Sequence, residues 1–192
     1  RVQVLSGGCC GRPALTQGMP DLARTQGSRV LDTLAPYAMA GHPIVVLEPS
    51  CMSMLASDLP WLLPDDPRST WVADGVISFE RAVLDLGLEV PGVRDAPLVH
   101  RHCHARSAGD EAAVAAMGAG ATATDAGCCG MAGSFGYEHP EVSRLIGEDR
   151  LAPQVRATDA PVVAAGVSCR HQIADLTGTS AVHPAVHLDR LL

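Results

Sequence analysis

The tetrapeptide Gly-Cys-Cys-Gly occurs twice in the sequence, at residues 8–11 and again at residues 127–130. Each copy is followed by a helical stretch, a short apolar run and one further cysteine. That cysteine is Cys51 in the first copy and Cys169 in the second, with forty and thirty-nine residues, respectively, between it and the pair. Two matched landmarks at nearly equal spacing indicate an internal repeat, and this repeat decides the predicted fold.

Short apolar runs alternate with helical stretches in both copies. The first copy has predicted strands at 1–6 and 43–48 and predicted helices at 21–40, 52–63 and 79–86. The apolar pattern of the last helix includes Val76, three residues before Phe79, at helical spacing. The second copy has predicted strands at 97–103, 121–127 and 161–167 and predicted helices at 108–118 and 139–151. This alternation predicts an α/β fold of two pseudo-repeated βαβ-type halves, with mostly parallel strands and cysteine-bearing loops at the carboxyl ends of the strands.

The two halves are predicted to cover residues 1–90 and 91–192, joined by a linker from Gly92 to Ala96. The strand that leads into Cys103 in the second half has a counterpart that would precede Arg1. We therefore expect the chain to be a piece of a longer protein, whose first half is truncated at its N-terminus and degenerate.

Composition excludes several classes of function. The chain has 192 residues, 47% of them apolar, and a formal net charge of −7, with no run of basic residues that would indicate a nucleic-acid partner. It contains no lysine, which excludes Schiff-base and Walker-A lysine chemistry. No apolar stretch is long enough to predict a transmembrane segment.

The cysteines are the strongest chemical signal, because five of the seven follow predicted strands, where ligands collect in parallel sheets. Thiolates are soft ligands that select iron–sulfur clusters, zinc or copper(I). The second half offers four of them, the number that a [4Fe–4S] cluster commonly takes. These candidate metal ligands are Cys103, Cys128, Cys129 and Cys169.

The first half offers only three thiols, Cys9, Cys10 and Cys51, as a candidate second metal site. Two interpretations stay open for it: a remnant without metal, or zinc completed by a histidine or an upstream residue. For the cysteines in general, burial as small apolar side chains and a strained vicinal disulfide are the blander alternatives.

Three histidines lie beside candidate ligands. In an extended strand, His102 and His104 would lie on the face opposite Cys103, so we expect them to donate hydrogen bonds to the cluster or its cysteines rather than to ligate it. His171 follows Cys169 by two residues and is either a neighbour of the same site or an ordinary surface residue.

The stretch 127–138, GCCGMAGSFGYE, together with HCH at 102–104, LEPSC at 47–51 and SCRHQ at 168–172, resembles the cysteine-rich "CCG" iron–sulfur domain. This family includes the B subunit of heterodisulfide reductase and the iron–sulfur subunits of glycolate oxidase and anaerobic glycerol-3-phosphate dehydrogenase. The chain is similar above all to the C-terminal iron–sulfur module of FAD-linked D-lactate and D-2-hydroxyglutarate dehydrogenases.

The resemblance implies an electron-transfer module of an FAD-linked oxidoreductase. An FAD-binding domain or subunit upstream would oxidise a 2-hydroxy acid of the D-lactate, glycolate or D-2-hydroxyglutarate type. A [4Fe–4S] cluster on the four cysteines of the second half would pass the electrons to a quinone or a cytochrome. The implied location is cytoplasmic, compatible with peripheral association at the inner face of the membrane.

The sequence departs from the heterodisulfide reductase pattern at the fifth thiolate. Gln172 and Met54 stand where a second cysteine of a Cys-x-x-Cys motif would follow Cys169 and Cys51. This disfavours a five-thiolate non-cubane cluster. Two alternatives from other classes remain: a zinc-stabilised docking module, and a thiol redox subunit of the heterodisulfide reductase type.

Overall fold

Every strand pair among the described residues of the computed structural model, 2–88, 90 and 96–191, is parallel. The α/β class with parallel strands is therefore confirmed. The chain divides into two compact units, Arg1–Ser78 and Phe79–Leu192. Most of the predicted linker, residues 92–95, lies outside the described residues.

The first unit has a pair of three-residue strands packed against a long helix. Its elements are α1 (Arg12–Thr16), α2 (Pro20–Met39), β1 (Ile44–Val46), α3 (Pro49–Ser53), a π-helical turn (Met54–Asp58), α4 (Leu59–Leu62), α5 (Pro67–Gly75) and β2 (Val76–Ser78). β1 pairs with β2 in parallel, with Ile44 opposite Val76. Val76, predicted as part of the helix that contains Phe79, instead begins β2.

The predicted strand at 1–6 is wrong for residues 2–6. They carry no regular secondary structure, and Val2 and Val4 are 90% and 91% exposed. A strand is stabilised by pairing and by burial of one face. Among the described residues this segment has no strand partner, and Leu5 alone of its apolar side chains packs against the core.

The second unit has a three-stranded parallel sheet in the order β4-β3-β5. Its elements are α6 (Phe79–Asp85), β3 (Leu98–His100), α7 (Cys103–Ser107), α8 (Ala112–Ala115), β4 (Thr122–Ala123), α9 (Phe135–Glu138), α10 (Pro140–Arg156), β5 (Val162–Ala164), α11 (Val167–Thr177) and α12 (Pro184–Asp189). The strands are shorter than predicted, and the helix expected over 108–118 begins earlier, at Cys103, and is interrupted at Gly109, where φ is +71°.

Each unit places cysteines at the border of its apolar core. In the first unit, Cys10 packs in a buried cluster with Leu31, Met54 and Val72. In the second, Cys129 and Cys169 lie in a cluster that also contains Leu151 and Ile173. Such surroundings exclude water and strengthen electrostatic interactions at the sulfur atoms.

The repeat is visible at the glycine that ends each Gly-Cys-Cys-Gly motif. Gly11 and Gly130 both have left-handed backbones, with φ of +93° and +97°. A Cβ on Gly11 would lie 2.8 Å from the carbonyl oxygen of Ala23 in α2, and one on Gly130 would collide with the carbonyl oxygen of Ser143 in α10. In both units the chain thus turns at the cysteine pair and runs against the backbone of the next long helix, which only glycine permits.

Replacing Gly130 with alanine is expected to destabilise the second unit by about 3 kcal/mol, through left-handed strain and the collision with Ser143. Urea unfolding followed by circular dichroism measures the change. Gly127→Ala is the matched control, since its Cβ would meet no atom within 4 Å and its backbone is not left-handed. Equal unfolding midpoints for the two variants would contradict this interpretation.

None of the helices in the described ranges combines the length and apolar character needed to cross a membrane.

Candidate metal centre

The four candidate ligands of the second unit come from three separate crossovers of its sheet. Cys103 is the first residue of α7, three residues after β3 ends. Cys169 lies in the first turn of α11, which follows β5. Cys128 and Cys129 lie in the loop after β4. Because parallel strands direct their carboxyl ends to one edge of the sheet, the three segments converge there.

The four thiols form a continuous chain of side-chain contacts. Cys103 contacts Cys128, Cys128 contacts Cys129, and Cys129 contacts Cys169. The structure therefore brings together all four sulfurs of the predicted ligand set, although they are separated by up to sixty-five intervening residues of sequence.

Two of these thiols accept hydrogen bonds and two donate them. The pKa of Cys128 is lowered to about 2 by the thiols of Cys103 and Cys129 and by the backbone N–H of Gly130, 3.3 Å from its sulfur. The pKa of Cys169 lies well below its ordinary value because the Cys129 thiol, His100 and His102 lie close to its sulfur. The pKa values of Cys103 and Cys129 are raised by the same contacts and by burial.

The donor set fits a thiophilic metal centre. It consists of four soft sulfur ligands, two of which the surroundings stabilise as thiolates, the form that binds metals. Among residues 2–88, 90 and 96–191, no three His, Cys, Asp or Glu side chains already have the geometry of a bound metal ion. The argument for a metal site therefore rests on the chemical type, the number and the convergence of the four cysteines. Their sulfurs contact one another and do not surround a preformed metal position.

His100 is a functional candidate that the sequence pattern did not reveal. It is the last residue of β3, only 2% exposed, and its Nδ1 lies 3.1 Å from Oγ1 of Thr124. Its Nε2 is buried and has no hydrogen-bond partner among the described residues. The imidazole lies near the sulfurs of Cys169 and Cys128 and lowers the pKa values of both. The sequence offered one signal for this role: His100 lies in a predicted apolar strand, two residues before the His-Cys-His triplet.

His102 and His104 do not belong to a strand, in contrast to the prediction. The strand ends at His100, so the expected alternation, which placed both histidines opposite Cys103, is wrong. His102 instead caps α7: its Nδ1 accepts the N–H of His104 at 3.1 Å and lies 4.0 Å from the sulfur of Cys103. The rings of His102 and His104 are in contact, with centroids 5.3 Å apart.

Gly166 makes room for the His102 ring beside the cysteine ligands. A Cβ at Gly166 would collide with that ring and lie 3.2 Å from the sulfur of Cys169. This glycine immediately precedes α11, so close packing of His102 against the start of the helix depends on the missing side chain.

His171 lies on the exposed side of α11, where its Nδ1 is 3.5 Å from the hydroxyl oxygen of Tyr137. Tyr137 belongs to α9, which follows the Gly-Cys-Cys-Gly loop. Placement beside the ligands stays a prediction for His171.

The residues at the position of a fifth thiolate have structural partners of their own. Gln172 is buried, and its Nε2 donates to both the carbonyl oxygen and the hydroxyl of Ser143, at 3.0 Å each. Met54, the corresponding residue of the first unit, is fully buried in the core. Both positions therefore serve packing and helix–helix contact.

In the first unit only two of the three cysteines are shown in contact. The sulfurs of Cys10 and Cys51 are 3.1 Å apart, whereas Cys9 is exposed. The pKa of Cys10 is lowered to about 6 by the thiol of Cys51 and by the backbone N–H and charge of Arg12, while that of Cys51 is raised by the same contact and by burial.

This cysteine-rich, duplicated fold has a counterpart among known protein families. The family model described as the cysteine-rich domain, CCG, matches residues 2–56 and 99–174, which is more than half of the chain. The chain therefore belongs to the cysteine-rich domain family, as the sequence resemblance implied.

Individual relatives include components of oxidoreductases. The chain is 28% identical over 199 residues to the C subunit of anaerobic glycerol-3-phosphate dehydrogenase from Escherichia coli (strain K12), covering 96% of this chain and 49% of that protein. It is 21% identical over 189 residues to the glycolate oxidase iron-sulfur subunit of the same strain, covering 92% and 46%. A 60-residue match at 40% identity covers 30% of this chain and 6% of the D-2-hydroxyglutarate dehydrogenase of Pseudomonas putida. The chain thus spans about half the length of the first two relatives.

Proposed function

We propose that the second unit holds a [4Fe–4S] cluster on Cys103, Cys128, Cys129 and Cys169 and carries electrons within a flavin-linked oxidoreductase. The observation that carries this proposal is the contact chain of four thiols from three distant segments. The name of a relative, an iron-sulfur subunit of glycolate oxidase, supports the same class of cofactor. When bound, such a cluster supplies one-electron transfer.

The surrounding residues have distinct roles in this proposal. The sulfurs of Cys128 and Cys169 are the most readily ionised and supply negative charge to the metal. The N–H of Gly130 donates to the sulfur of Cys128, and hydrogen bonds of this kind favour the reduced, more negative form of a cluster. The apolar neighbours of Cys129 and Cys169 exclude water from that side of the site.

We further propose that the electron donor is an FAD-binding domain or subunit that oxidises a 2-hydroxy acid, of the D-lactate, glycolate or D-2-hydroxyglutarate type, and that the acceptor is a quinone or a cytochrome. The names of two relatives, a glycolate oxidase component and a D-2-hydroxyglutarate dehydrogenase, support this substrate class. The flavin partner, and not this module, would select the substrate.

Anaerobic optical titration tests the electron-transfer role. The full chain, purified without oxygen, is expected to show broad visible absorption that bleaches with a chemical reductant and returns when a soluble quinone is added. A metal-loaded chain whose spectrum responds to neither reagent would contradict the proposal. For the first unit, the two open proposals are a zinc site on Cys9, Cys10 and Cys51 and a remnant without metal. The zinc content of the same sample distinguishes them.

Replacing His100 with leucine is expected to lower the reduction potential of the cluster while its iron content is retained. The imidazole lies beside the sulfur of Cys169, and its buried Nε2 is unpaired among the described residues. We expect this nitrogen to donate to a sulfur of the loaded site, and loss of such a hydrogen bond disfavours the reduced form. We expect a change of about tenfold in the equilibrium constant for one-electron reduction, which corresponds to about 59 mV.

A potentiometric titration followed by electron paramagnetic resonance measures the potential of the His100 variant. His42→Leu is the matched control, because it makes the same change at an exposed histidine of the first unit, outside the candidate metal sites. An unchanged potential in His100→Leu, or an equal shift in both variants, would count against a hydrogen bond from His100.

A further inference from the structure

Two of the three cysteines considered above as a zinc site of the first unit are in direct contact. The sulfurs of Cys10 and Cys51 are 3.1 Å apart, although forty residues separate them in the sequence. Cys10 is buried and Cys51 is half-buried, so the pair lies just beneath the surface. Cys9, the neighbour of Cys10 in sequence, is exposed and provides a natural comparison.

Arg12 holds the two cysteine-bearing segments together. It lies two residues after Cys10, and its guanidinium contacts α3, the helix that contains Cys51. Nε donates to the carbonyl oxygen of Ser50 at 3.3 Å, and Nη2 donates to Oγ of Ser53 at 2.8 Å. The same guanidinium forms an ion pair with Asp58. Because Ser50 and Ser53 lie on either side of Cys51, these bonds fix the position of its sulfur opposite that of Cys10.

Arg12 also favours the ionised form of Cys10. Its backbone N–H donates to that sulfur, and its positive charge is close enough to stabilise a thiolate. The sulfur of Cys51 lies 3.1 Å from that of Cys10. Two sulfurs in contact are the arrangement from which a disulfide forms on oxidation.

We propose that Cys10 and Cys51 are a reversible dithiol–disulfide couple that is oxidised by a hydroperoxide. The inference does not depend on the function proposed for the second unit. Two sulfurs in contact suffice for a disulfide, whereas structural zinc sites almost always take four ligands.

The oxidation can be written with balanced atoms and electrons. The Cys10 thiolate attacks one oxygen of hydrogen peroxide, the O–O bond breaks, hydroxide leaves and Cys10 becomes a sulfenic acid. The sulfur of Cys51 then attacks that of Cys10, an S–S bond forms, and the departing hydroxyl takes the proton of Cys51 as water. Two electrons pass from the sulfurs to the peroxide. A small dithiol restores both thiols by exchange.

Peptide mapping of the full chain tests the proposal. The protein is exposed to a small excess of hydrogen peroxide, free thiols are blocked by alkylation, and tryptic peptides are analysed by mass spectrometry. Since an Arg–Pro bond resists trypsin, Cys9 and Cys10 fall in the peptide 2–24 and Cys51 falls in 30–68. We expect these two peptides to be linked, and fragmentation of the unsubstituted protein to place the bond on Cys10. Dithiothreitol should release both.

Three variants sharpen the test. Cys9→Ser should form the linked peptide at the rate of the unsubstituted chain, and Cys10→Ser should lose it. Arg12→Gln should form it roughly tenfold more slowly, because both the thiolate and the alignment are weakened. A bond that maps to Cys9, a chain that forms no link under peroxide, or stoichiometric zinc that is released by Cys10→Ser and protects the pair would overturn the proposal.

Discussion

Replacing Cys169 with serine is expected to reduce bound iron from about four atoms to fewer than one per chain. Cys169 is only 1% exposed, contacts Cys129, and has a pKa well below its ordinary value. The other three cysteines of the second unit already belong to the proposed ligand set, so no spare thiolate replaces it. A serine hydroxyl is a harder ligand that ionises poorly and does not replace a thiolate in a cluster site. Iron analysis of anaerobically purified protein measures the change.

Cys9→Ser is the matched control for this experiment. It makes the same chemical change at an exposed cysteine of the first unit and should leave the iron content of the chain unaltered. Circular dichroism of both variants separates loss of ligation from loss of fold. If folded Cys169→Ser retained about four iron atoms, the ligand set proposed for the second unit would be wrong.

Removing the metal is expected to lower the melting temperature of the second unit by about 10 °C or more. Cys129 and Cys169 belong to the apolar core cluster, and the surroundings lower the pKa values of Cys128 and Cys169. Without a metal, this negative charge depends on hydrogen bonds from neighbouring thiols and one backbone N–H. Ligands that bind only the folded state stabilise it by mass action, and an iron–sulfur cluster does so strongly.

Differential scanning calorimetry of the iron-loaded and chelator-treated chain measures the effect. The Cys169→Ser variant provides the control, because it should melt at the lower temperature before treatment and should not change on addition of the chelator. Identical melting curves for the loaded and depleted chains would show that the site contributes nothing to folding.

The parallel architecture and the convergence of four cysteines were predictable from the sequence because each rests on the repeat. Matched spacing implies equivalent crossovers, and parallel crossovers bring their ends to one edge of a sheet. Cys103, Cys128, Cys129 and Cys169 could be grouped on that basis before any contact was known. The equivalent turns at Gly11 and Gly130 now show that the repeat extends to the packing of each pair against its helix.

Features that depend on tertiary contacts could not be predicted in this way. Three-residue strands such as β2 are too short to display a period, so Val76 was indistinguishable from part of a helical pattern. The alternation expected at His102 and His104 failed because a helix cap replaces the strand after His100. The Nε2 atom of His100 is buried near the sulfurs because segments that are distant in sequence pack around the end of β3. A local sequence pattern contains no information on such packing.

Joint determination of iron and acid-labile sulfide in the anaerobically purified full chain is the most direct test of the central claim. The account predicts about four of each per chain, together with the electron paramagnetic resonance signal of a reduced [4Fe–4S] cluster. A colourless chain that holds tightly bound zinc and neither iron nor sulfide would contradict it.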